Sequence, residues 1–124
     1  TSAEVVALDL LKKAKGIESD RIGPGARTAD TFKMYQVLDE SEQSKTLFIE
    51  LLHSSNPVAQ SYGLIGLHEK DHLLYQKYLP TFLSSRIKIE VQNGCMSEIK
   101  EVADINFQKH ANHFNEAIAS RALF

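Results

Sequence analysis

His68-Glu69-Lys70-Asp71-His72 is the stretch of this chain whose residue types and spacing come nearest to a reaction centre. It matches H-E-x-x-H. On a continuous helix that spacing sets two imidazoles one turn apart to hold zinc, with the glutamate as general base on the metal-bound water. A zinc-dependent hydrolase or metal-binding protein using His68, Glu69 and His72 is therefore one functional expectation. Three features oppose it. The two middle positions are the charged Lys70 and Asp71, where a buried zinc helix carries uncharged residues. Leu67 to Asp71 reads as a junction between two helices, which would break the i, i+4 geometry. No third ligand follows at a familiar spacing, Glu90, Glu98 and Glu101 being the only candidates. The opposing expectation is a set of exposed polar residues at a helix boundary.

Other chemistry-bearing residues divide in the same way. His110 and His113 stand at i, i+3, a spacing that can bind metal and that also occurs on solvated helix faces. His53 falls at a helix end, where a partly charged imidazole interacts well with the helix dipole. Cys95, the single cysteine, permits no intramolecular disulfide. It reads as a small buried hydrophobe unless a histidine lies within reach to activate it. Arg21 and Arg27 flank the loop Ile22-Gly23-Pro24-Gly25-Ala26, which lacks the G-x-x-x-x-G-K phosphate pattern but could hold an anion. Tyr62, Tyr75 and Tyr78 are core or groove-lining positions, each needing a partner for its hydroxyl. Arg21, Arg27, Tyr62 and Tyr75 are the candidate binding residues, and no catalytic residue or cofactor is expected.

The elements that must position these groups follow from apolar periodicity. Ser2 caps a helix running to about Lys15, with Val5, Leu8 and Leu11 at helical spacing. Helices follow from about Asp30 to Leu38 and from Ser41 to about Leu52, the latter carrying Leu47, Phe48, Leu51 and Leu52 as one stripe. The tight Asp39-Glu40 link packs these two antiparallel. Asn56 and Pro57 give the clearest helix start in the chain. Gly63 and Gly66 inside that helix imply close approach by a neighbour, since each costs about 1 kcal/mol of helix propensity. Asp71 caps a fifth helix, which Pro80 should end or kink. Ile87, Ile89 and Val91 then alternate with polar residues, the period of a strand, and Asn93-Gly94 is a turn. No second strand is evident, so 86–92 is expected either as a short extended segment lying across the helices or as the end of the preceding helix. Ser97 opens a sixth helix through Ile99, Val102 and Ala103. A last one, from about Asn106 to Leu123, turns Phe107, Ala111, Phe114 and Ile118 inward.

The expectation is an all-α domain spanning 1–124, a HEAT-like stack of antiparallel helix pairs with about seven short helices. Its 124 residues suffice to bury one core without metals or disulfides. A net charge of −2, with no basic block, argues against nucleic acid as partner. No apolar run approaches the roughly 20 residues of a membrane span. No signal peptide is visible, and a start at Thr1 fits removal of an upstream segment.

Ser55-Asn56-Pro57-Val58-Ala59-Gln60-Ser61-Tyr62-Gly63-Leu64-Ile65-Gly66-Leu67 resembles the second half of a HEAT repeat. Over Ile22 to Met96, the order Ile22-Gly23-Pro24-Gly25, Phe48-Leu51-Leu52, Tyr62 to Leu67, Tyr75 and Gly94-Cys95 resembles a family of small, helical, uncharacterised bacterial proteins with a late glycine-cysteine pair. That resemblance implies a helical fold and a secreted or envelope location, and it brings no activity. The leading functional expectation is a non-enzymatic protein-interaction or scaffold module, since helix stacks present extended surfaces.

Overall fold

The chain folds as a mixed α/β structure, seen here in a computed structural model that describes residues 2–122. In chain order it runs α1 (Ala3–Lys12), β1 (Gly16–Ile22), β2 (Arg27–Thr28), α2 (Asp30–Glu40), α3 (Ser44–Leu52), α4 (Pro57–Lys70), α5 (His72–Leu83), β3 (Lys88–Gly94), β4 (Met96–Glu101), a short 3-10 turn (Val102–Asp104) and α6 (Phe107–Ala122). The strands form one sheet in the order β2-β1-β3-β4. The expected all-α, HEAT-like stack is overturned by that sheet. Leu123, the expected end of the last helix, lies outside the described residues.

α4 is the hub. Asn56 caps it by accepting from Val58 N–H at 3.0 Å, and Pro57 takes the first helical position, as the sequence indicates. Val58, Ala59 and every residue from Ser61 to Leu67 are buried, so the helix is apolar all round. Tyr35 of α2, Phe48 of α3 and Phe114 of α6 gather beside it, the Tyr35 ring 4.9 Å from Phe114 and 5.2 Å from Phe48 between centroids. Gly63 and Gly66 are where α3 closes on α4. A Cβ on Gly66 would stand 2.3 Å from the Phe48 ring.

β1 and β3 pair in parallel, Ile17 beside Val91, with helices α2 to α5 forming the long connection such pairing requires. Ile17, Ser19, Ile89 and Val91 are buried on the helix side, whereas Lys88 and Glu90 face solvent. β1 carries little strand signal in its residues, because only Ile17 and Ile22 mark it as apolar. Ser19 can take a buried place because its hydroxyl donates to Arg21 C=O at 2.8 Å and accepts from Gly94 N–H at 3.0 Å. At the edge of β1 away from β3, the Tyr62 hydroxyl stands in for a neighbouring strand. It accepts from Glu18 N–H at 2.9 Å and donates to Gly16 C=O at 3.4 Å.

The expected extended segment at 86–92 is strand β3, shifted two residues toward the C-terminus. The expected helix at Ser97 is instead β4, antiparallel to β3 with Asn93 opposite Met96. The two-residue loop between them begins with Gly94 at φ 62, a conformation glycine adopts without strain. Arg21 to Arg27 is a hairpin between β1 and β2 rather than an irregular loop. Pro80 lies inside α5, which continues to Leu83. No helix among the described residues is long and apolar enough to cross a membrane.

Candidate functional site

The H-E-x-x-H segment straddles two helices. α4 ends at Lys70, and Asp71 adopts φ −156, ψ 87 before α5 begins at His72. Asp71 caps α5 by accepting from Leu74 N–H at 3.1 Å. That bond and the Lys45 ammonium at 2.8 Å hold its carboxyl below the usual carboxylate range, Lys45 being the larger cause. His72 Nδ1 donates to His68 C=O at 3.0 Å, which fixes the proton on Nδ1. The two imidazoles meet edge to face at 4.9 Å, and Tyr75 completes the cluster. Glu69 is more than half exposed. His68 Nδ1 is buried without a hydrogen-bond partner, 3.7 Å from Glu69 Oε1. No group of three His, Cys, Asp or Glu suited to a metal is present among the described residues. The segment is a helix junction and not one continuous helix.

The four candidate binding residues are dispersed. Tyr62 is fully buried, and that burial pushes its phenol up to about 12. Tyr75 is buried against His68 and His72, which also raises its phenol. Arg21 and Arg27 sit on the β1-β2 ribbon, where Arg21 is opposite Thr28 and Ile22 is opposite Arg27. Adjacent pairs project to opposite faces, so the two guanidinium groups do not converge on one anion. Arg21 donates instead to Ala26 C=O at 3.3 Å, closing its own hairpin.

A polar pocket of about 300 Å³ lies between the sheet and α6, lined by Ser19, Asn93, Lys100, Lys109, His110 and His113 among others. His113 Nε2 donates to Asp20 Oδ1 at 2.7 Å. Asp20 reaches it because β1 carries extra residues between Glu18 and Ile22, an irregularity that re-aims side chains. His110, one turn earlier, titrates at about 4. Burial is the main cause, with His113, Lys100 and Lys109 adding to it, so the ring is neutral at pH 7.

β4 is the second feature that the sequence reading missed. It is the terminal strand of the sheet, and Met96, Ser97, Glu98 and Ile99 are all exposed. Met96 is 76 % and Ile99 65 % accessible, an unusual exposure for apolar side chains on a strand. Leu83 and Ile87 are also exposed, just before β3. Asn93-Gly94 after the alternating run Ile87 to Val91 was the available signal for this hairpin. Ser97-Glu98 obscured it by resembling a helix start. Cys95, at the hairpin tip, is exposed rather than buried.

Comparison of the chain with protein-family models, with curated proteins and with solved structures finds no match in any of the three.

Proposed function

We propose that the protein is a non-enzymatic interaction domain that takes up a polypeptide strand along β4. The observation that carries this reading is the open outer edge of β4, six residues long and bearing the exposed Met96 and Ile99. A strand edge offers a row of unpaired N–H and C=O groups, and folds commonly blunt such edges with bulges, prolines, covering loops or charged side chains, of which β4 carries only the charges of Glu98, Lys100 and Glu101. β4 has continuous pairing to β3 from Asn93–Met96 to Lys88–Glu101, without a bulge or proline. Addition of an extended strand would satisfy its backbone, and the alternating side chains would supply selectivity.

Peptide display against the folded protein, followed by amide chemical-shift mapping of the selected binders, tests this. Shifts concentrated on Met96 to Glu101 are expected. Binders that map to the α6 pocket or to α1, with β4 unmoved, would sink the reading.

A further inference from the structure

We infer that the strand added to β4 is β4 of a second copy of this chain, antiparallel and centred on Ile99; this rests on the strand-uptake reading above. The argument starts from the pattern Glu98-Ile99-Lys100. Glu98 and Lys100 project to the helix side of the sheet, because they stand opposite the buried Val91 and Ile89. Ile99 projects to the open side, opposite Glu90.

Two identical edges joined antiparallel are related by a two-fold axis normal to the sheet, which keeps the helices of both copies on the same side. Directly opposed residues must then share a face. With the axis at Ile99, each Glu98 stands opposite Lys100 of the second copy, and the two Ile99 side chains meet on the open face. Opposite charges in that position stabilise the pair and like charges destabilise it. The neighbouring registers that keep the faces matched set Glu98 against Glu98 or Lys100 against Lys100. The short charge pattern therefore selects one register.

A second feature lies at the ends of the same ladder. In this register Met96 of the second copy lies just past the end of the ladder, next to Val102, where the chain turns into the 3-10 segment. An apolar pocket of about 150 Å³, lined by Pro57, Phe82, Ile87 and Val102 among others, lies beside that position. Met96 is exposed in the single chain, and its flexible thioether suits an apolar recess. Glu98 and Lys100 already form a 3.4 Å pair within one strand. The new pairing therefore exchanges a solvent-exposed contact for cross-strand ones and desolvates little. A five-residue ladder is a small interface, so a dissociation constant in roughly the micromolar range is expected.

Sedimentation equilibrium of the intact chain tests the inference, with Glu98→Lys and Lys100→Glu made separately. Each variant presents like charges to itself, and the two are complementary to one another. The expected result is a wild-type dimer, at least tenfold weaker self-association of each variant, and recovery when the two are mixed. The doubly swapped chain, Glu98→Lys with Lys100→Glu, should dimerise like wild type, which separates charge matching from damage to the fold. Ile99→Cys in a Cys95→Ser background should form an intermolecular disulfide on oxidation, because only the Ile99-centred register sets residue 99 against itself. A wild-type dimer indifferent to both single charge changes would overturn the inference. So would a chain that stays monomeric at millimolar concentration. In that case peptide mapping to β4 still decides strand uptake separately, since selected binders on Met96 to Glu101 would show an open edge whose partner is another protein.

Discussion

Gly63 of α4 lies so close to Leu52 of α3 that a Cβ at residue 63 would stand 2.6 Å from the Leu52 amide nitrogen and equally near the Phe48 carbonyl oxygen. Both obstacles are backbone, so no side-chain rotation relieves them. Gly63→Ala should destabilise the fold by about 1–3 kcal/mol despite alanine's better helix propensity. Urea denaturation with an unchanged m-value measures this, and a stabilised variant would refute the close approach. Gly66→Ala meets the Phe48 ring instead, and a Phe48→Leu background should recover part of its loss.

The Tyr62 hydroxyl is the lateral partner of β1 at Glu18. Tyr62→Phe leaves that amide, and the Gly16 carbonyl, without their bond inside the core. A cost of about 1–3 kcal/mol is expected, with faster hydrogen exchange at Glu18 than at Ile65. Unchanged exchange at Glu18 would count against the hydroxyl as a strand surrogate.

Asn56 joins two elements besides capping α4. Its Nδ2 donates to Lys12 C=O at 3.1 Å and to Ala14 C=O at 2.9 Å, tying the end of α1 to the start of α4. Asn56→Ala removes the cap and both ties, for a loss of about 2 kcal/mol or more. Asn56→Asp keeps the cap acceptor but sets a carboxylate against two carbonyls, so it should rescue little. Full rescue by aspartate would show that capping alone matters.

His110 predicts a pH dependence of known sign. Its folded-state value of about 4 lies below the ordinary 6.5, so between these the unfolded chain holds the extra proton. Its stabilising contribution is complete above pH 6.5 and is lost as pH falls toward 4, on the order of 2–3 kcal/mol in all. The wild-type stability should therefore drop more steeply than that of His110→Gln over this range. Parallel pH profiles for the two would show that the ring is solvated.

Several of these features were legible in the residues. Asn56-Pro57, the Asp71 cap, the small residues of α4 and the inward face of Phe107, Ala111 and Phe114 act within a few residues of chain, and each stands where local chemistry put it. The break at Asp71 was legible too. Strands β1 and β4 were not. β1 is half polar, and its buried Ser19 is tolerable only because Arg21 and Gly94 satisfy the hydroxyl. β4 carries no inward apolar residue until Val102, so periodicity had nothing to register there.

By itself the sequence determined the starts of α1, α2, α4 and α5, the alternating run at Ile87 to Val91 and the places where α3 and α4 could touch, because caps, glycines and short apolar periods are local properties. Only the tertiary structure decided that Ile17 runs parallel to Val91, that Tyr62 closes one side of β1, and that β4 is left as an open edge among the described residues. Those are pairings between residues tens of positions apart. A backbone hydrogen bond is chemically the same for every residue type, so a strand's partner, or its lack of one, leaves no mark on the sequence until the chain is folded.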